Sequence, residues 1–404
     1  MEQSEFKVYG YRWVVLVAFM FVLGVTQLLW ITFAPITGSA AQWYGVSDLS
    51  IGLLSMSFMV VYVIVSVPAS WVIDTYGIRV AVGIGAVLTG VFGLMRGLVA
   101  SNYTLVLVAQ IGIAVGQPFV LNAVTTVAAR WFPFRERATA AGLGSLAMYV
   151  GIVVALVLTP YLTIRSGMDG MLLVYGILSV AAAVVFFVLV RNRPPTPPCA
   201  PGEEARSLVF DGLKESFRNR NFVLLLIVFF VGLGVFNAVT TWIDVIVRPR
   251  GFTITQAGNT GGLMIVGGII GAVVIPIISD HYRKRTPYLL MAVIGATVGL
   301  VGVTFAESYW LLLASSFCFG FFLLSAGPIG FQYGAEITYP APEGTSNGLL
   351  VLSGQVSGIA FILGMDAIKD PGTGSMTVSL IVLLGLMAVA LVLCTRLKDA
   401  KTGP

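Results

Sequence analysis

Charge is what this chain has least of. Lys, Arg, Asp and Glu together supply 10% of its 404 residues, against roughly 25% in an ordinary soluble domain. With 57% of the residues hydrophobic, no water-soluble fold could hide the apolar surface, so the composition implies an integral membrane protein. Histidine is nearly missing too: the one present, His281, leaves no imidazole pair for a metal centre or for a nucleophile with its base. An intramembrane enzyme is set aside on that ground, and no metal or cofactor is expected. The three cysteines, Cys199, Cys318 and Cys394, form no disulfide or metal pattern, the last two lying inside apolar runs. A soluble catalytic domain has no room either. The longest polar stretch, Asn192 to Arg220, falls short of the roughly 40 residues below which a domain needs staples to fold alone, and it reads as a linker.

What is present is a series of apolar runs, each close to the roughly 20 residues that cross a bilayer as a helix. Six lie near 13–37, 50–73, 79–100, 104–129, 138–160 and 170–190, and six more near 221–246, 257–279, 287–306, 309–332, 345–365 and 374–395. The first run continues past Thr32 with no small-residue cleavage site and reads as a retained helix. The fold class is therefore an all-α membrane protein of twelve transmembrane helices. Its expected divisions are an N-terminal six-helix bundle at 1–191, a cytoplasmic linker at 192–220 and a C-terminal six-helix bundle at 221–404. The net charge of +5 sits at span ends and speaks for topology, with no nucleic-acid partner. With both termini cytoplasmic, Lys and Arg concentrate on that side, leaving Arg165, Arg248, Arg250 and Lys369 opposite and Arg96 within a helix.

The two halves repeat at an offset of 206 to 207 residues. Asp74, Gly77 and Arg79 after span 2 recur as Asp280, Arg283 and Arg285 after span 8. Pro133, Glu136 and Gly142 before span 5 recur as Pro340, Glu343 and Gly348 before span 11. Arg130, closing span 4, lands on Glu336, closing span 10, so one position carries opposite signs in the two halves. Related bundles of this sort commonly frame a central transport site.

The acid-and-base loop in a 6+6 chain resembles the major facilitator superfamily, although Ser70 and Pro276 stand where that pattern opens with Gly, and Ile78 where a base is frequent. The stretch Gly330-Phe331-Gln332-Tyr333-Gly334-Ala335-Glu336-Ile337-Thr338-Tyr339-Pro340, continuing to Ser353 and Gln355, is similar to the feline leukaemia virus subgroup C receptor-related family. Trp30-Ile31, Trp71-Val72-Ile73-Asp74, Arg130-Trp131-Phe132 and Asn219-Arg220-Asn221-Phe222 carry the same likeness. The resemblance implies two pseudo-symmetric bundles working by alternating access, with haem, choline or ethanolamine among the family's substrates and a vitamin carrier among its relatives. It also implies that Asp74 meets the start of helix 11 and Asp280 that of helix 5, where helix dipoles favour an anion.

An ionisable group at midplane is expensive and usually functional, and here the spans hold almost none. Asp244 and Arg96 lie close to outer ends and read as residues reaching headgroups or a neighbouring span, with an outer gate or coupling site as the functional alternative. The central candidates are uncharged. Trp30 in span 1 has Phe236 as its repeat mate in span 7, followed by Asn237, and an ammonium group over a Trp face gains roughly 0.5 to 2 kcal/mol or more when desolvated. Gln117, before the helix-kinking Pro118, and Gln355 sit at midspan and can accept from a substrate hydroxyl or orient an ammonium. The family likeness covers Trp30, Gln117 and Gln355, whereas Tyr149 stands where a Gln is expected. Tyr62 and Tyr149 complete the candidates. The charged landmarks Asp74, Arg79, Arg130, Asp280, Arg283, Arg285, Glu336 and Glu343 suggest a cytoplasmic gate, with Arg130 pairing to Asp74 and Glu336 to Arg283 or Arg285. Topology anchoring is the plainer alternative for the bases.

These features point to a monomeric facilitative carrier of a small organic cation or amine in the cell membrane, with the bilayer and the solute as partners. A haem exporter lacks an axial His within the spans. A proton-coupled carrier of an organic anion would have to use Arg96 and Asp244. A channel or a non-transporting receptor is the alternative from another class.

Overall fold

The computed structural model describes residues 6–198, 217–338 and 343–399, the side chains of 343–345 excepted. Most of the linker expected at 192–220, Cys199 and Pro340 lie outside the described residues, as does the side chain of Glu343. Hydrocarbon offers no partner for a free N–H or C=O, and the apolar runs accordingly fold as helices. They are α1 (Arg12–Tyr44), α2 (Asp48–Tyr76), α3 (Ile78–Leu98) and α4 (Tyr103–Trp131), then Phe134–Leu189, then α7 (Arg220–Thr241), α8 (Ile254–Tyr282), α9 (Thr286–Phe305), α10 (Tyr309–Thr338), α11 (Glu343–Ala367) and α12 (Thr377–Cys394). The helix Phe134–Leu189 has 56 residues, about 84 Å at 1.5 Å per residue, far more than the roughly 30 Å of a bilayer core. Gly167, at φ 72° and ψ 177°, breaks it. Such a conformation costs a residue with a Cβ dearly and glycine little, and the two pieces are α5 and α6, making twelve spans among the described residues.

Three irregularities inside the spans matter for the site. Helix α1 stops at Ile31, passes through a 3-10 turn at Ala34–Ile36 and resumes at Thr37. Pro35 has no N–H, so the Ile31 carbonyl loses its helical donor. Helix α4 breaks at Asn122 and Ala123, one turn after Pro118. Helix α7 closes at Thr241, and Ile243–Val247 forms a separate short helix after a non-helical Trp242. The run near 221–246 is thus two elements, and Asp244 lies beyond the seventh span, because unbroken hydropathy does not register a change in backbone angles. His281, beyond the apolar run near 257–279, sits exposed in the last turn of α8.

The described chain forms two compact units. The first holds α1 up to Thr32, Gln42–Gly45, α2 from Val60 onward and α3 to α6. The second holds Phe33–Ala41, Val46–Met59 and α7 to α12. The segments 33–41 and 46–59, expected with the N-terminal bundle, therefore pack within the second unit.

Small residues set the helix spacing in both units, as they do where lipid gives helices little reason to associate by hydrophobicity alone. A Cβ built on Gly267 would lie 2.5 Å from the Phe317 carbonyl oxygen, and one on Gly271 would collide with the Phe321 carbonyl. Across the same α8–α10 seam, Gly320 faces the Met264 carbonyl, and in the first unit Gly151 of α5 faces Gly24 of α1. Gly142 has open space around it. Gly271→Ala is expected to lower stability by about 1 to 3 kcal/mol through overpacking, whereas Gly142→Ala should be neutral or slightly stabilising. Thermal midpoints of the two purified variants in the same detergent check this, and equal midpoints would remove the close-packing account of the seam.

Candidate functional site

The uncharged candidates of the first unit stand on α1, α2, α4 and α5. Trp30 occupies the last turn before the α1 break and is only 7% exposed, which turns it away from lipid. Gln117, 6% exposed, precedes Pro118; among the described residues its amide makes no hydrogen bond, so its full donor and acceptor capacity is available. Tyr62 is committed: its hydroxyl donates to Asn122 Oδ1 at 2.9 Å. The Asn122 amide in turn donates to the Ser66 carbonyl (3.2 Å), Ser66 Oγ (3.0 Å) and Ser70 Oγ (3.1 Å). That net secures the α4 break to α2, so Tyr62 contributes to structure whatever else it does. Tyr149 on α5 is half-buried.

In the second unit Phe236 and Asn237 lie buried on α7. The Asn237 amide donates to the Gly354 carbonyl of α11 at 3.1 Å, which brings it beside the half-buried Gln355. A Cβ on Gly358 would come within 2.9 Å of the same amide, so α7 and α11 meet closely at this level. One of the Asn237 donors is spent on this packing.

Gln27, two per cent exposed and one turn before Trp30, escaped the sequence reading. Its Nε2 is buried with no hydrogen-bond partner among the described residues. Spacing of i, i+3 places it on the helix face of Trp30, a signal that was available. Thr240 and Thr241, one turn beyond Phe236 and Asn237, also bury hydroxyls without a hydrogen-bond partner among the described residues.

The charged candidates separate into clusters within each unit. In the second unit Arg285 binds Glu336 through Nη2 at 3.1 Å and also contacts Asp280. Gln332 donates to the same Glu336 oxygen at 3.0 Å, and Asp399 receives the backbone N–H groups of Arg285 and Thr286 at 3.2 and 3.0 Å. Glu336 therefore engages Arg285, and Arg283 instead closes α8 in a left-handed conformation at φ 52°. In the first unit Arg130 donates to Asn192 Oδ1 at 3.2 Å, the same oxygen that receives the Arg79 backbone N–H at 3.4 Å. Asp74 is exposed and forms no ion pair with Arg130 among the described residues. Arg12 of α1, which the sequence reading left out, pairs with Glu136 of α5 at 3.0 Å.

The two remaining charges behave unlike each other. Arg96 is fully buried and hydrogen-bonds to α1 and α4, so of the two plain readings, headgroups or a neighbouring span, its contacts are those of the second. Asp244, 1% exposed, accepts from the Gly38 backbone N–H at 2.7 Å and from Arg248 Nη1 at 3.4 Å. Its Oδ1 has no hydrogen-bond partner among the described residues. Arg248 extends to Asp48 at 2.8 Å, which also receives Lys369 at 3.3 Å. This cluster ties Gly38 and Asp48 to the α7–α8 connection and to the end of α11, all inside the second unit.

Burial pushes the Asp244 carboxyl up to about 6; the Gly38 N–H and Arg248 oppose the rise, and Asp48 adds to it. A carboxyl whose folded pKa is raised favours the folded state below its ordinary range, and that contribution disappears as pH climbs through about 6. Wild-type protein should therefore lose up to about 3 kcal/mol relative to Asp244→Asn between pH 4 and pH 7. Thermal midpoints of the two proteins across that range check it, and parallel profiles would contradict the buried acid.

Twelve spans in two units, with rings and amides buried along them, are the frame of a membrane transporter. The chain belongs to the Major Facilitator Superfamily, whose family model matches residues 15–362. Among its relatives, Solute carrier family 49 member A3 of Danio rerio is 31% identical over 91% of this chain and 81% of its own length. Choline/ethanolamine transporter FLVCR2 of Homo sapiens is 28% identical over 91% of this chain and 74% of its own, in keeping with the resemblance carried by the α10–α11 sequence. Among solved structures, a bacterial homolog to the human lysosomal transporter Spinster, inward-facing and unoccupied, matches in fold with a TM-score of 0.79. It covers 98% of this chain and 100% of that one at 15% identity.

Proposed function

We propose that this transporter is a facilitative carrier of a small organic cation or amine of the choline and ethanolamine kind, working by alternating access. The observation that carries the reading is the character of the buried polar groups. Among the described residues no carboxylate stands at mid-span, Asp366 lying in the last turn of α11 where it pairs with Lys369 at 3.1 Å, while Trp30, Phe236, Gln27, Gln117 and Asn237 are buried along α1, α4 and α7. An ammonium group taken from water needs compensation, and where no carboxylate supplies it a ring face can. A ring face gives roughly 0.5 to 2 kcal/mol, enough to select a cation and little enough to let it go. Trp30 and Phe236 are the rings proposed to receive the ammonium; Gln117 and Gln355 are the amides proposed to engage its hydroxyl or carbonyl-seeking N–H groups, and Asn237 to hold its own helix pair in place. Tyr62 and Tyr149 are secondary candidates.

The relatives named for choline and ethanolamine transport support the same class of solute. The Lys and Arg asymmetry supports placing both termini in the cytoplasm of a cell-membrane protein, which makes the Arg285–Glu336 web and the Arg130–Asn192 contact parts of an inner gate. A single chain is proposed to suffice.

Purified protein in liposomes should show saturable uptake of labelled choline or ethanolamine, accelerated by unlabelled solute on the far side and unchanged when a pH gradient is collapsed. Trp30→Ala should raise KM by up to about 30-fold, the whole value of the ring contact. Uptake that depends strictly on the pH gradient, or a Trp30→Ala protein with unchanged KM, would overturn the proposal.

A further inference from the structure

The Arg96 guanidinium is fully buried in α3, where a charge within a span is costly and is kept only when something holds it. Its Nη1 donates to the Leu29 carbonyl at 3.1 Å and to Gln110 Oε1 at 2.7 Å, and its Nη2 to Thr32 Oγ1 at 3.4 Å. Gln110 Nε2 donates to the same Leu29 carbonyl at 3.2 Å. The Thr32 hydroxyl adds donation to the Leu28 and Leu29 carbonyls at 2.8 and 3.3 Å. Three side chains thus converge on one carbonyl, which has two lone pairs to offer. That carbonyl belongs to the residue before Trp30, in the last turn of α1, directly ahead of the break that Pro35 enforces.

A helix end left without its next turn frays, and its terminal residues sample several orientations. Here the end is stitched sideways to α3 and α4. Gly93, one turn before Arg96 on α3, faces α6, where a Cβ would lie 2.3 Å from Ser179 Oγ, and touches Leu29 Cδ1 only at an ordinary 3.4 Å, so the link from α3 to the end of α1 is made by the long Arg96 side chain. The planar fork of arginine can reach a carbonyl, an amide oxygen and a hydroxyl at once, which a lysine ammonium on its flexible stem cannot reproduce.

We propose that Arg96, with Gln110 and Thr32, is a positioning clamp that fixes the last turn of α1 and thereby the orientation of the Trp30 ring for the solute. The clamp acts through Trp30 and needs no contact with the solute. Its link to transport rests on the assignment of Trp30 to the solute in the proposed function; its effect on the ring itself does not.

Two readouts test it in full-length protein. First, the difference in emission between each protein and its Trp30→Phe counterpart isolates the Trp30 signal. Arg96→Lys should shift this difference and make it more accessible to acrylamide. Second, Arg96→Lys should raise KM for choline about 5-fold, a fraction of the ring contribution, with kcat little changed, and this effect should vanish in a Trp30→Ala background. Should Arg96→Lys fail to give a monodisperse protein, Gln110→Leu and Thr32→Val each remove part of the clamp and should move both readouts in the same direction. An unchanged Trp30 difference spectrum, or a KM effect that adds fully to that of Trp30→Ala, would overturn the clamp. A Trp30→Ala protein with normal KM but a shifted spectrum in Arg96→Lys would instead sink the solute assignment and leave the clamp standing.

Discussion

A carbonyl or N–H freed inside hydrocarbon has no water to turn to, and each one left unpaired costs several kcal/mol. The whole chain is organised around that requirement. Where the helices run uninterrupted the backbone satisfies itself, and the side chains need only be apolar and, at crossings such as Gly271 on Phe321, small. Where a helix is interrupted, polar side chains collect. The α1 break draws Arg96, Gln110 and Thr32 to the Leu29 carbonyl, and the α4 break is secured by the Asn122 amide on Ser66 and Ser70. The polar groups buried in this membrane protein are therefore of two kinds, those that repair the backbone and those, such as Gln27 and Gln117, that have no such duty.

The distinction sorts the residues that matter for transport. Tyr62 and Asn237 attract attention as polar groups in apolar spans, yet each gives a hydrogen bond to its own unit. Gln117 gives none among the described residues. Charges follow a related logic at the helix ends, where water competes and an exposed pair contributes only about 0 to 1 kcal/mol. Webs with several members, such as Arg285 with Glu336 and Asp280, are better suited than lone pairs to hold a position and then let go.

The internal repeat of the sequence survives in the helices but not in the contacts. Arg130 and Glu336 occupy corresponding places, and their surroundings have diverged: Glu336 lies in a web of Arg285 and Gln332, while Arg130 reaches an asparagine from the start of the linker. Duplication copies a scaffold, and opposite charges at one position then select different neighbours. The segments 33–41 and 46–59 depart furthest from the repeat, since Gly38 and Asp48 are bound by Asp244 and Arg248 in the second unit.

Hydropathy along the chain was sufficient for the spans and their all-helical character, because span formation is decided by local composition over about twenty residues against a solvent of fixed thickness, and short residue motifs carried the repeat and the family likeness. The glycine at 167 that divides a 56-residue helix belongs to the same local class of information. Partnerships between distant residues are a different matter. Nothing in spacing joins Arg12 to Glu136 or Arg96 to the carbonyl of Leu29, and unbroken apolar sequence through Ile243–Val247 conceals the end of α7 at Thr241. These depend on which helices touch and at what height, a choice settled by packing over the whole unit and by where the backbone happens to need a donor.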